Sequence, residues 1–303
     1  MTPWRRESVT MSPRTQSSLF PVGALLMGVL SFQCGAALAK QLFPLVGAQG
    51  ATAIRLGLGA LILWIVRRPW RNLAGRHDWG SLVGYGLTLG LMNLFFYMAL
   101  RTLPLGIAVA LDFLGPLGVA LFGSRRALDL LWVALVIAGL ALLLPYGTGS
   151  QPLDPVGVMY ALAAAAGWAA YILLGRRAGA AFGDDAVALG TAIGALIAVP
   201  VGVAHAGSAL FSLSALPFAI GLAVLSSALP YSLEMYALTR LPARTIGILF
   251  SLEPAVGALL GLLFLHEYLS AFQWLAIAAI IVASIGAVLT ARDTPADAAR
   301  EAT

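Results

Sequence analysis

Five charged side chains stand inside long apolar stretches of this chain: Lys40, Arg55, Asp112, Glu234 and Glu253. A charge at the centre of an apolar helix in lipid carries a penalty of about 2.5 to 3.5 kcal/mol on insertion scales, so each retained charge asks for a reason. Three acids and two bases in such a setting can hold an ammonium group, hold a carboxylate or pass a proton. The bland alternative is mutual pairing that only ties helices together.

The neighbours of these charges sharpen the chemistry. Asp112 lies four residues before Pro116, and Phe250 lies four before Pro254. Proline has no amide hydrogen, so the backbone carbonyls of residues 112 and 250 lose their usual partner and the two prolines mark helix breaks. Glu253 directly precedes Pro254, a position biased away from ordinary helix, and either acid there suits a substrate ammonium group. Ser227, Pro230, Tyr231 and Glu234 fall at i, i+3, i+4 and i+7, one polar stripe on an apolar helix, with Pro230 a further break. Asn93 and Tyr97 share a face with Gly86 and Gly90, Gln33 and Lys40 lie seven apart, and Trp168 and Tyr171 share a face that can close over the apolar part of a ligand. The mechanistic expectation is exchange: proton and substrate compete for the same acid, so inward proton flow drives outward substrate flow. Arg55 keeps its charge and can hold a substrate carboxylate.

The elements that must position these residues are membrane helices. A chain of 303 residues that is 60% hydrophobic and 10% charged, with mean hydropathy +0.91, has more apolar surface than one water-soluble core can hide. A span needs about 20 apolar residues to cross roughly 30 Å of hydrocarbon. About ten such runs are expected, near 19–40, 47–66, 79–100, 103–123, 130–146, 153–175, 184–204, 216–238, 241–265 and 268–290. No alternating strand pattern appears, so the expected fold is an all-α integral membrane protein.

Ala99 to Gly123 and Ala237 to Gly261 align without gaps at one offset (237 − 99 = 138), and the repeated residues include Pro104/Pro242 and Pro116/Pro254. A weaker match pairs Phe32 and Lys40 with Trp168 and Arg176 (168 − 32 = 136). With an odd number of spans in each half, the halves enter the membrane in opposite senses, giving two inverted five-helix repeats. The expected division is a cytoplasmic N-terminal tail (1–18), a first repeat (19–146), a turn-rich linker (147–152), a second repeat (153–290) and a cytoplasmic C-terminal tail (291–303).

Of the 18 Lys and Arg residues, only Lys40 and Arg101 fall on the side opposite Arg5, Arg67, Arg125, Arg176, Arg240 and Arg292, with Arg55 inside a span. The positive-inside rule therefore places both termini in the cytoplasm. This dispersal argues against nucleic acid as a partner. A cleaved signal peptide is not expected at the first run, because nine further runs follow. Cys34 is the single cysteine, so no disulfide forms within the chain. No cofactor or metal is expected and no enzyme is read: His266-Glu267 has Ser270 where a zinc peptidase needs its second histidine. A membrane scaffold without transport would carry buried acids at a cost and without purpose.

Several phrases carry a resemblance: Leu42 to Gly47, Ala51 to Leu56, Pro104 to Ala110, Leu229 to Met235, Thr239 to Pro242 and Glu253 to Ala255. They resemble the drug/metabolite transporter superfamily, of EamA type, and within it the bacterial inner-membrane exporters of threonine and homoserine, over about Phe20 to Leu289. The resemblance implies ten helices in two inverted repeats, a central pathway, and efflux of small amino acids by proton antiport. The alternative it leaves is efflux of another small metabolite or drug. Asp112 departs from the longer glutamate expected there, which bears on cargo size. The partners implied are a small amino acid, protons and the lipid bilayer, with a monomer or a dimer both open.

Overall fold

Gly47 folds the first helix back on itself. Its backbone (φ 71°, ψ 172°) adopts a conformation open to glycine, and it divides α1 (Pro13–Arg67) into two limbs. A straight helix from Phe32 to Arg55 would be about 35 Å long, yet Arg55 Cζ lies 4.6 Å from the centroid of the Phe32 ring. The limbs are therefore antiparallel neighbours.

The computed structural model describes residues 13–71, 78–122, 127–142, 153–183, 185–212, 216–238, 241 and 243–290. After α1 come α2 (Trp79–Ala99), α3 (Leu105–Asp112), α4 (Leu114–Phe122), α5 (Ala127–Leu142), α6 (Pro155–Phe182) and α7 (Asp185–Ala206). Then follow α8 (Leu216–Ala223), a π-helical turn (Val224–Ala228), α9 (Leu229–Leu238), α10 (Ala243–Phe250), α11 (Glu253–Leu265) and α12 (Ala271–Thr290). No strand occurs among the described residues. Six helical stretches there are long and apolar enough to cross a membrane, and Leu105–Val119 and Leu130–Leu142 are shorter apolar helices. The first of the six, Phe20–Arg67, is the one that Gly47 divides. The linker 147–152 and the tail 291–303 lie outside the described residues, and α1 begins at Pro13, within the segment read as the N-terminal tail.

Local chemistry sets the helix ends. Asp154 accepts from the amides of Val156 (3.1 Å) and Gly157 (3.2 Å), and Pro155 opens α6 where its missing amide is harmless. Asp78 caps α2 through the Ser81 amide at 3.2 Å. The Thr102 hydroxyl together with the cap amides holds the Asp154 carboxyl below its ordinary value, and the hydrogen bonds from Ser81 do the same for Asp78. At the end of α11, His266 takes φ 54° and the Glu267 amide reaches back to Gly261 O at 3.0 Å, a left-handed cap that turns the Glu267 side chain inward.

Two helices are interrupted in register with the sequence duplication. The α3/α4 interruption falls at Phe113 and the α10/α11 interruption at Ser251 and Leu252, so Phe113 and Ser251 are one repeat apart (251 − 113 = 138). The prolines do not sit at the breaks. Pro116 and Pro254 lie in the first turns of α4 and α11, where a helix tolerates proline. Ser251 Oγ and Ser284 Oγ of α12 share a buried 2.7 Å hydrogen bond beside the second interruption.

Packing relies on small residues, because lipid removes the hydrophobic drive between helices. A Cβ on Gly90 would stand 2.8 Å from Gly194 O, and one on Gly86 would stand 2.5 Å from Ile193 Cβ. Backbones of α2 and α7 touch there. The outward faces are apolar, with Leu196 75% and Leu130 72% exposed, as a lipid-facing bundle requires.

Candidate functional site

Both interruptions open onto one cavity of about 240 Å³. Its volume lies just under the roughly 300 to 1,000 Å³ of small-molecule sites, which favours a small ligand. The wall is mainly apolar, built from Phe32, Phe96, Val109, Trp168, Ile172 and Phe250 among others. Set into it are Gln33 from α1, Asn93 from α2, Asp112 from α3, Tyr171 from α6, Tyr231 and Glu234 from α9, and Glu253 from α11.

The polar groups are arranged to meet a ligand. Both Gln33 side-chain heteroatoms and Asp112 Oδ1 are buried without a hydrogen-bond partner. A polar atom buried and unpaired is rare enough to call for a partner from outside the chain. Asn93 Nδ2 donates to Leu89 O of its own helix at 2.8 Å, which fixes the amide and turns its oxygen away from that bond. Asp112 ends α3, where the helix dipole is negative, and Glu253 begins α11, where it is positive. Carboxylates and two opposed helix ends thus share one small space, a chemistry suited to a zwitterion.

Aromatic side chains shape the apolar part. Trp168 meets Phe113 edge to face at 5.8 Å, so the α3/α4 interruption and α6 close the wall together. Tyr171 stacks on Tyr85 at 4.8 Å, and their hydroxyls are 3.2 Å apart. The weak match of Phe32 with Trp168 falls on two residues of the same wall. Tyr85 had no signal in the sequence, since one tyrosine on an apolar helix reads as core.

Arg55 stands behind the wall. Its Nε donates to Ser226 O (3.1 Å) and Ser227 Oγ (3.4 Å), its Nη2 lies 3.5 Å from Tyr231 Oη, and Nη1 has no partner. Phe32 and Tyr97 flank the guanidinium, with ring centroids at 4.6 and 5.5 Å. Among the described residues no carboxylate lies within salt-bridge distance of Arg55. The stripe read as Ser227, Pro230, Tyr231 and Glu234 is split: Ser227 turns to Arg55, Pro230 is buried toward α1, and only Tyr231 and Glu234 line the cavity. The π-helical turn (Val224–Ala228) contains Ser227 and inserts an extra residue before α9, which takes Ser227 out of register with Tyr231 and Glu234. Tyr97 is fully buried and its hydroxyl has no partner, but it lies beside Arg55 and not on the wall.

Lys40 is not brought to the cavity. It pairs with Glu267 and also donates to Leu103 O at 2.6 Å, near the end of the bundle where α2 turns into α3. Pro116 lines the cavity, whereas Pro230 and Pro254 shape the helices that do.

Residues 155–289 match the EamA-like transporter family. The chain is 54% identical over 275 residues to the threonine/homoserine exporter RhtA of Salmonella typhimurium (strain SL1344), covering 91% of this chain and 93% of the relative. It is 53% identical over 272 residues to the threonine/homoserine exporter RhtA of Escherichia coli (strain K12), covering 90% and 92%. A solved crystal structure, 19% identical, superposes with TM-score 0.57 over 92% of this chain and 98% of its own, so the fold is one already seen experimentally.

Proposed function

Because this chain belongs to the EamA-like transporter family, we propose that it is a secondary transporter of the bacterial inner membrane that exports threonine and homoserine in exchange for protons. What supports the cargo is the identity to curated exporters across nine-tenths of the chain. The single observation that carries the mechanism is the cavity: Asp112, Glu234 and Glu253 face one small space whose remaining wall is apolar. The ammonium group of the cargo sits among the carboxylates, its carboxylate faces Gln33, Asn93 and the start of α4, and its short side chain lies against Trp168 and Phe32. Glu234 exchanges a proton for the ammonium group, so that each clears the other from the site.

The architecture in this reading is ten spans in two inverted five-helix repeats. The two limbs of α1 make the first two, α3 with α4 and α10 with α11 make one each, and α8, the π-turn and α9 together make another. The interruptions at Phe113 and Ser251 support it, as does the duplication of sequence. Both termini lie in the cytoplasm, by the distribution of arginine.

Proteoliposomes loaded with labelled threonine and given an imposed proton gradient test the reading. Threonine should leave, homoserine should compete with it, and the gradient-driven part of the efflux should be lost when the gradient is collapsed. Retention of both amino acids with efflux of some other small metabolite would replace the cargo, and efflux indifferent to the gradient would remove the antiport.

A further inference from the structure

Two carbonyls of the π-helical turn are served from α1. The Leu229 amide reaches Val224 O, the wide spacing of a π-turn. The next residue is Pro230. An amide there would bond to Leu225 O in π spacing or to Ser226 O in α spacing, and proline can do neither. Ser31 Oγ donates to Leu225 O at 2.7 Å and Arg55 Nε donates to Ser226 O at 3.1 Å. The two donors come from opposite limbs of α1, and each limb makes room with a glycine. A Cβ on Gly35 would stand 2.5 Å from Ser226 Cβ, and one on Gly59 would stand 2.8 Å from Ser227 Cβ.

The turn decides which side chains meet the cavity. One extra residue shifts everything downstream by about 100° around the helix axis. With it in place Tyr231 and Glu234 line the cavity; with α spacing restored, Leu233 would take the direction of Glu234. Arg55 is 1% exposed and is absent from the wall, and its hydrogen bonds run to the turn and to Tyr231.

We propose that Arg55, seconded by Ser31, is a positioning residue: its bond to Ser226 O holds the π-turn that aims Tyr231 and Glu234 into the cavity, and it does not itself touch the cargo. The consequence for transport rests on the cavity being the cargo path, but the direction of the side chains is measurable without it.

The test uses the full chain in proteoliposomes on a Cys34→Ser background, with Glu234→Cys or Leu233→Cys as the one thiol and a small water-soluble methanethiosulfonate as probe. Adding Arg55→Gln or Pro230→Ala is expected to slow labelling at 234 by about tenfold and to speed it at 233, as one charge-assisted hydrogen bond is lost or outcompeted. Arg55→Lys keeps a donor and should restore part of the rate at 234. Unchanged labelling at both positions would overturn the proposal. So would loss of transport by Arg55→Gln in a chain that keeps Glu234, beside unchanged labelling, which would put Arg55 in contact with the cargo. If Arg55→Gln does not fold, Pro230→Ala decides alone, since it adds a donor and leaves every α1 side chain in place. Labelling reads direction whether or not cargo moves, so absence of threonine transport by the unaltered chain would refute the proposed function and leave this result standing.

Discussion

Lys40 Nζ donates to Glu267 Oε1 at 2.5 Å, while Oε2 of the same carboxylate takes the Leu105 amide at 2.6 Å. One carboxylate therefore joins the first limb of α1, the start of α3 and the loop after α11. The side chains are only 19% and 15% exposed. Removing the acid strands both a cation and a backbone donor in a partly dry place. Glu267→Ala should lower stability by about 1 to 3 kcal/mol, and less when combined with Lys40→Met, because the double variant leaves no stranded charge. Thermal unfolding in detergent of the two single variants and the double measures the coupling; additive losses would show that the pair does not act together.

The same pair marks where sequence reasoning stops. A lysine inside an apolar run signals a polar duty, but its partner is 227 residues away and nothing local names it. The repeat was readable because duplicated prolines survive in sequence. The breaks were expected at Pro116 and Pro254 and occur at Phe113 and Ser251, since proline is at home in the first turn that follows a break. The acids of the cavity were legible as charges in lipid. The π-turn was not: an inserted residue has no composition of its own, and Pro230 alone reads as a kink. Arg55 was expected to hold a substrate carboxylate and is instead found behind Tyr231, bonded to that turn.

Gly90 and Gly80 separate packing from composition on one helix. A methyl on Gly90 would press on Gly194 O at 2.8 Å, whereas one on Gly80 would meet nothing within 4 Å. Gly90→Ala should therefore cost about 1 to 3 kcal/mol through strain at the α2 and α7 crossing, and Gly80→Ala should be neutral or slightly stabilising. Melting temperatures of the two variants in one detergent compare them, and equal shifts would deny the crossing.

The caps Asp78 and Asp154 give the fold an acid limit outside the membrane. Their carboxyls ionise below the ordinary aspartate value of about 3.9 because hydrogen bonds favour the charged form. Their contribution is complete above that value and is lost as pH falls through the lower value of the folded chain. Unfolding temperature should drop below about pH 4, and the drop should be shallower in Asp154→Ala. An identical pH profile in that variant would mean that the cap at α6 carries none of the effect.

The proposed role of Glu234 as proton carrier is tested by removing its charge while Asp112 and Glu253 remain to hold the ammonium group. Glu234→Gln keeps the shape and the hydrogen-bonding capacity of the side chain but cannot give up a proton at any working pH. Proton-driven threonine efflux should fall by at least about a hundredfold, the scale of removing a proton-transfer group, while exchange of labelled for unlabelled threonine persists. Gradient-driven efflux at the normal rate in this variant would transfer the proton to Asp112 or Glu253.

Asp112 and Trp168 both line the cavity of about 240 Å³ in which the proposed cargo would bind, so both bear on its size. Lengthening the acid moves its carboxylate inward by one methylene, so Asp112→Glu should favour cargo with a shorter side chain. Trimming the aromatic part of the wall acts the other way: Trp168→Ala removes the ring that meets Phe113 at 5.8 Å and should admit larger apolar amino acids. Discrimination of about tenfold per methylene is what a packed pocket supplies. Competition of serine, threonine and leucine for labelled threonine efflux reads both shifts, and a selectivity series unmoved by either substitution would place the binding pocket elsewhere in the bundle.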